Sequence, residues 1–132
     1  MHPQFHLIDE TWIAAPPATV AAAVADAANW PAWWPGLELA VTRDRGVKGM
    51  QWAARPRAGA APLAGSVEIW LEPFSDGVIL HHFLRLDLLP PATLSRRGLG
   101  RLERRLAWHA KRAFWQLKDD LERSAGADRR GC

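Results

Sequence analysis

The 132-residue sequence is poor in reactive and cross-linking side chains, with one cysteine, Cys132, and no tyrosine. A single cysteine excludes a disulfide framework and a cluster of thiolate metal ligands. No apolar run approaches the length of about 18 residues that a membrane-spanning helix needs, and residues 1–4 lack the basic and apolar regions of a signal peptide. Since the length suits one hydrophobic core, we expect a single-domain cytoplasmic protein.

The sequence also lacks the motifs that bind nucleotides or metals. It contains no phosphate-binding loop, no dinucleotide fingerprint, no Ser-His-Asp order and no zinc-type ligand spacing. The adjacent histidines His81 and His82 lie in a strand-like segment, so their side chains should point to opposite faces of a sheet. We therefore expect no cofactor and no metal site.

The last third of the chain, Pro90 to Arg123, is predicted to form one long helix. Thr93 or Ser95 can act as the N-cap, and no proline follows before the expected end at 124–126. At about 100° per residue, one face collects the apolar residues and should be buried. This face comprises Leu99, Leu102, Leu106, His109, Ala110, Ala113, Phe114, Leu117 and Leu121. We expect one domain over residues 1–126 and a disordered basic tail over 127–132.

The residues before Pro90 predict strands and two short helices. The alternation of apolar and polar residues, interrupted by proline and glycine, indicates where each element ends. Strands are predicted at 5–13, 37–43, 47–55, 63–72 and 78–87, and short helical segments at 18–28 and around 30–36. Pairing Leu71 with Leu80 and Ile69 with His82 places the apolar residues of both strands on one surface. Residues 56–62 are predicted to form a loop, although they could hide a further strand.

Charge is distributed unevenly along the chain. Residues 1–89 carry six Lys and Arg against nine Asp and Glu, whereas residues 90–132 carry eleven against five. The basic character therefore belongs to the long helix and its tail. A basic helix either is a solvated outer face or contacts RNA or an anionic membrane surface, and the sequence leaves both interpretations open.

Three stretches together carry a resemblance to a known superfamily: the strand end and helix start Ile13–Val20, the tryptophan segment Trp30–Gly36, and the turn Leu71–Pro73. With the long C-terminal helix, they resemble the START-like (SRPBCC) superfamily, and within it bacterial proteins of the polyketide cyclase/dehydrase type. The resemblance implies an α+β helix-grip fold, in which a curved antiparallel sheet wraps around the C-terminal helix and two short helices follow the first strand. It also implies an apolar cavity between sheet and helix. The five strands predicted here are fewer than the six or seven common in the superfamily, so the cavity could be small or open at one side.

An apolar cavity needs bulky walls and a few polar groups. The candidate ligand-binding residues are Trp33, Trp34, Trp52, Ile69, Leu80, His82, Leu84, Leu106, His109, Ala110 and Ala113. The two alanines are small residues in the middle of the buried helix face and would leave room for a ligand. The alternative is that tryptophan side chains fill this space as an ordinary core. The adjacent Trp33 and Trp34 could form either a gate or a plug at one end.

His82 is the titratable residue on the apolar face of its strand and is the candidate catalytic residue. It could act as a general base or bind a ligand carbonyl, as could His109 at the edge of the helix face. The alternative for both is an ordinary hydrogen-bonded core histidine. The lack of tyrosine weakens the hypothesis of a cyclase, because members of this superfamily with that activity are expected to polarise their substrate with hydroxyl and guanidinium groups. Arg55 and Arg85 are predicted to point outward or to lie at strand ends.

Trp108 and Trp115 lie seven residues apart on the helix face opposite the apolar one, among basic residues. Exposed tryptophans in such a place indicate a partner. We expect a homodimer interface first and a contact with an anionic membrane second; the alternative is that long neighbouring side chains or the N-terminal segment cover both rings.

Three functions follow from these features. The first is a carrier or sensor for a small hydrophobic, lipid- or polyketide-like ligand. The second is a cyclase- or dehydratase-type enzyme that uses His82. The third is an interaction module that docks on RNA, a ribosome or a membrane through its basic helix.

Overall fold

The computed structural model describes residues 4–130, with side chains to residue 126. Five strands and three α-helices follow one another as β1 (Phe5–Ile13), α1 (Pro17–Ala25), α2 (Trp30–Trp33), β2 (Leu37–Asp44), β3 (Gly49–Pro56), β4 (Leu63–Phe74), β5 (Gly77–Leu88) and α3 (Arg96–Arg130). Single turns of 3₁₀ helix cover Ala27–Asn29 and Gly46–Lys48. The curved sheet, the long helix and the short helices after β1 confirm the expected α+β helix-grip fold.

The five strands form one antiparallel sheet in the order β1-β5-β4-β3-β2, so β1 and β2 are its edges. The predicted pairing of β4 with β5 is confirmed, because Leu71 lies opposite Leu80 and Ile69 lies opposite His82. Within residues 4–130, segment 57–62 is a loop and hides no strand. The sheet therefore stays open between β1 and β2.

The inner face of the sheet carries the core. Val67, Ile69 and Leu71 of β4 and Leu80 and Leu84 of β5 are all buried, as the alternating pattern predicts. Met50, Trp52 and Ala54 of β3 continue this apolar surface, and Val20 and Val24 of α1 close one end of it.

Helix α3 starts one residue after Ser95, whose hydroxyl oxygen accepts a hydrogen bond from the Gly98 amide at 3.1 Å. Ser95 is therefore the N-cap, one of the two residues expected for that role. The helix does not end at 124–126, as we expected, but continues through Gly126 to Arg130. A single glycine costs only about 1 kcal/mol in a helix, and no proline enforces an end. The expectation of a disordered tail over 127–132 stays a prediction, since residues 131–132 and the side chains of 127–130 lie outside the described part.

Polar contacts fix the middle and the C-terminal part of α3 to the edge strand β1 and the residue that follows it. Lys111 forms an ion pair with Asp9, Lys118 donates to the Trp12 carbonyl at 2.8 Å, and Glu122 accepts from the Ala14 amide at 2.9 Å. The last two contacts use backbone groups at the sheet edge, which would otherwise be free to pair with another chain. No helix in the described residues is long and apolar enough to span a membrane.

Candidate functional site

An apolar pocket of about 230 Å³ lies between the sheet, the N-terminal half of α3 and the segment after α2. Its walls come from four parts of the chain. The lining residues are Trp33, Trp34, Pro35, Gly36 and Leu37; Ala60, Ala61 and Leu63; His82, Leu84 and Leu86; and Leu102, Arg105, Leu106, His109 and Ala110. Of the described residues in this lining, only His82, Arg105 and His109 are polar, and His82 alone among them is deeply buried.

Aromatic rings fill the space between sheet and helix next to the pocket. Trp52 packs against Trp34 with ring centres 4.9 Å apart and against Trp30 at 5.3 Å. Phe114 of α3 closes this cluster against Trp33 at 5.4 Å. A packed aromatic cluster and an apolar pocket therefore lie side by side between the sheet and the helix.

The pocket brings together seven of the candidate ligand-binding residues, namely Trp33, Trp34, His82, Leu84, Leu106, His109 and Ala110. Trp52, Ile69 and Leu80 lie instead in the packed core and do not line it. Ala113 lines a separate groove between α2 and α3, because it lies roughly 60° around the helix from Ala110.

Several wall residues were not among the sequence candidates. Leu86 shares a strand face with Leu84, and Leu102 lies one helical turn before Leu106. The alternation in β5 and the helical repeat in α3 could therefore have indicated that both residues line the pocket. Ala60 and Ala61 belong to the loop 57–62, whose path no periodicity indicates.

His82 occupies the inner wall and makes one side-chain hydrogen bond. Its Nε2 atom lies 3.0 Å from Nε1 of Trp34. An indole N–H can only donate, so Nε2 accepts and the neutral ring carries its proton on Nδ1. Burial lowers the pKa of His82 to about 4, although the negative charge of Asp9 acts in the opposite direction. The ring is therefore neutral at neutral pH.

Three buried polar atoms lie behind this wall without a hydrogen-bond partner among the described protein atoms: Nδ1 of His82, Oδ2 of Asp9 and Oγ1 of Thr11. Asp9 is paired with His82 across β1 and β5, and Thr11 follows two residues later on the same face of β1. Of these three residues, only His82 was among the sequence candidates. The alternation Phe5, Leu7, Asp9, Thr11, Ile13 is the signal that could have found the other two, because it places both polar residues on the inner face.

The other candidate polar groups have structural contacts. Nε2 of His109 lies 2.8 Å from the Ala32 carbonyl and connects α3 to α2. His81 points away from His82, as expected, and lies between Glu10 at 3.3 Å and Glu72 at 3.0 Å. In the part of the chain that the structure describes, no group of three His, Cys, Asp or Glu side chains is placed to hold a metal ion.

Trp33 and Trp34 are both buried, with 5% and 3% of their surfaces exposed. Their rings meet edge to face at 5.5 Å, which is a favourable geometry for aromatic pairs. Each ring packs into the core on one side and borders the pocket on the other. The two residues thus close one end of the space and form part of its wall.

Comparison with solved structures identifies the fold. A START superfamily protein from Mycobacterium smegmatis matches with a TM-score of 0.51 and 13% identity over 88% of this chain and 98% of its own. The di-domain ARO/CYC StfQ from the steffimycin biosynthetic pathway matches with a TM-score of 0.57 and 13% identity, over 92% of this chain and 51% of its own. The Aha1 dimer from Colwellia psychrerythraea matches with a TM-score of 0.58 and 13% identity, over 89% and 96%.

No protein-family model matches the chain, and no curated protein matches it either. At these identities the structural matches establish the fold and not an activity. The chain has the START-like, or SRPBCC-type, fold, which confirms the resemblance drawn from Ile13–Val20 and Trp30–Gly36.

Proposed function

We propose that the protein is a carrier or sensor for a small hydrophobic ligand that binds in the pocket between α3 and the sheet. The observation that carries the proposal is an almost wholly apolar wall around about 230 Å³, with one buried polar side chain, His82. Such a combination of apolar walls and a few polar groups is typical of ligand pockets.

The size of the pocket limits the ligand. A dry apolar cavity of about 150 Å³ can hold benzene, whereas drug-sized ligands occupy about 300–1,000 Å³. We therefore propose a compact lipid- or polyketide-like molecule of one to three fused rings, or one short acyl chain. A longer ligand would extend into solvent past Arg105, which lies exposed at the rim.

The environment of His82 supports a carrier over the alternative of a cyclase- or dehydratase-type enzyme. Its Nε2 atom is occupied by Trp34, and a pKa of about 4 makes the ring a weak base. Arg55 and Arg85, the guanidinium groups considered for a cyclase, form ion pairs with Glu38 and Glu68 outside the pocket. Of the other two polar residues in the lining, His109 contacts the Ala32 carbonyl and Arg105 lies exposed at the rim. An enzyme would need a further polar group directed at the ligand.

Native mass spectrometry of protein purified from cells tests the carrier. We expect a co-purifying adduct of low mass that organic solvent removes, and a fluorescent probe such as 1-aminoanthracene should bind to the stripped protein with one-to-one stoichiometry. The repeated absence of any adduct, together with no probe binding, would overturn the proposal. Turnover of a poly-keto substrate that is lost in His82→Gln would favour the enzyme instead.

We also propose that the partner at the Trp108 and Trp115 face is a second copy of the chain. The two side chains are 59% and 47% exposed, so neighbouring side chains do not cover them. The nearby lysines are engaged within the protomer, Lys111 with Asp9 and Lys118 with Glu122. This pairing engages both lysines, so the free positive charge beside the tryptophans comes from arginines such as Arg104, while Asp119 adds negative charge on the same face. A face of mixed charge favours a protein partner over a membrane or RNA. The Aha1 structure with this fold is also described as a dimer.

Light scattering and sedimentation velocity over a range of concentrations test the dimer. We expect a dimer for the wild type and a monomer for Trp108→Glu, with unchanged circular dichroism. A monomeric wild type at every concentration would overturn it. Flotation of the monomer with vesicles that contain phosphatidylglycerol would indicate the membrane alternative.

A further inference from the structure

We infer that two α3 helices pack antiparallel across a two-fold axis that passes between Lys111 and Arg112, so that Trp108 of each copy faces Trp115 of the other. This inference rests on the homodimer proposed above and adds its geometry. It follows from the order of side chains along one stripe of α3. When a second copy of the stripe runs in the opposite direction, basic residues of one copy lie opposite acidic residues of the other, and tryptophan lies opposite tryptophan.

The stripe is defined by residues that recur every seven positions. Seven residues complete almost two helical turns, so such residues lie nearly above one another. The members are Arg101, Trp108, Trp115 and Glu122, with Arg104 and Asp119 beside them. Glu122 is partly buried and the other five are exposed. The stripe therefore presents an accessible surface, with the two tryptophans at its centre.

Charge is arranged asymmetrically along this stripe. Its N-terminal end carries Arg101 and Arg104, and its C-terminal end carries Asp119 and Glu122, of which Glu122 is also paired with Lys118 within the protomer. A two-fold interface brings the same patch of both copies together, so a residue at one end meets a residue at the other end of the partner. In the antiparallel arrangement that pairs Trp108 with Trp115, Arg104 falls opposite Asp119 and Arg101 falls opposite Glu122.

A parallel arrangement would place each residue against its own copy, with arginine against arginine and carboxylate against carboxylate. Like charges placed directly opposite each other weaken a complex. Antiparallel helices also bring the positive end of each backbone dipole near the negative end of the other. Both effects favour the antiparallel arrangement.

The protomer already positions the stripe. The ion pair of Lys111 with Asp9 and the hydrogen bond of Lys118 to the Trp12 carbonyl draw both lysines toward β1. Both ammonium groups are therefore engaged within the protomer, and Arg112, the other charged residue next to the proposed axis, lines the groove between α2 and α3. Lys111 also lies over the Trp115 ring at 5.6 Å and orients it. These contacts hold both lysines and the Trp115 ring in place before association, which lowers the entropy cost of ordering them in a dimer.

A charge swap tests this geometry. Arg104→Glu and Asp119→Arg each create two symmetry-related like-charge contacts, so each should raise the dimer dissociation constant by about tenfold or more. The double variant restores opposite charges at both contacts and should recover most of the wild-type affinity. Arg55→Glu is the matched control, because it makes the same charge change at an exposed site on β3, away from α3, and should leave the dissociation constant unchanged.

The outcomes separate the geometry from the dimer itself. A wild-type dimer that Trp108→Glu dissociates, but that neither single charge variant weakens, would overturn the antiparallel arrangement and leave the dimer standing. The antiparallel arrangement would also be overturned if both single variants weaken the dimer and the double variant does not recover the affinity. A monomeric wild type, or a dimer that is insensitive to Trp108→Glu, would overturn both the proposed dimer through the Trp108 and Trp115 face and its antiparallel geometry. Circular dichroism of each variant checks that the fold is intact.

Discussion

The indole of Trp34 donates a hydrogen bond to Nε2 of His82 at 3.0 Å, in the wall between pocket and core. The contact joins the end of α2 to the middle of β5, and both residues are almost fully buried. It fixes the tautomer of His82 and the position of one pocket wall together. A binding site and the stability of the fold therefore depend on the same pair of side chains.

His82→Leu should lower the free energy of unfolding by about 1–3 kcal/mol, because it leaves the buried Trp34 N–H without an acceptor. Urea unfolding followed by tryptophan fluorescence measures the change. His6→Leu is the control, since His6 is exposed on β1, and should stay within about 0.5 kcal/mol of the wild type. Equal stability of His82→Leu and wild type would mean that the Trp34 contact contributes nothing net.

The stability of the protein should fall between about pH 6.5 and pH 4. Burial lowers the pKa of His82 to about 4 in the folded state, against its ordinary value of 6.5, so the unfolded chain binds more protons over this interval. Linkage then requires stability to decrease as the pH falls through this window, by on the order of 3 kcal/mol in total. Below about pH 4 the contribution of His82 no longer changes.

Denaturation at a series of pH values, compared between wild type and His82→Leu, measures this contribution. The slope between pH 6.5 and pH 4 should be much smaller in the variant. Asp9 on β1 and Lys111 on α3 are the charged groups beside this site, and the Asp9 charge opposes the lowering of the His82 pKa. If the two proteins show the same slope, His82 is not the group responsible.

Much of the fold could be predicted from the sequence, because alternation in β4 and β5 assigns every residue to a face and the turn between them sets the register. The position of the pocket could not be predicted in this way. Leu80 and Leu84 share a face of β5, but Leu80 is packed in the core and Leu84 borders the pocket. Which end of the space between sheet and α3 stays open depends on the positions of the rings of Trp34, Trp52 and Phe114. These residues come from segments far apart in sequence. Local periodicity contains no information on how these three rings pack together.

The inward position of Asp9 could not be predicted from the local sequence either. A carboxylate on a strand is by default assigned to the solvent face, since burying a charge without a partner is costly. Here the partner is Lys111 on α3, about a hundred positions away, so nothing near Asp9 in the sequence indicates that its inward position can be tolerated.

Thr11→Val should raise the free energy of unfolding by about 1 kcal/mol. The variant keeps the shape of the side chain and removes a buried hydroxyl that has no hydrogen-bond partner among the described protein atoms, so the cost of desolvating that group disappears. Thr42→Val, at an exposed position of β2, is the control and should be neutral. A loss of stability in Thr11→Val would instead show that the hydroxyl has a partner, such as a bound water shared with Asp9 and His82.

Ala110→Leu should abolish binding in the pocket, because the new side chain projects from the helix face that lines it. The added methylene groups occupy the existing space, so the cost in stability should stay below the roughly 1–3 kcal/mol typical of overpacking. Titration with 1-aminoanthracene measures the binding, and thermal unfolding measures the stability. Ala113→Leu is the matched control, since it makes the same change one turn later but faces the groove between α2 and α3. Loss of probe binding in Ala113→Leu and retention in Ala110→Leu would move the ligand site to that groove.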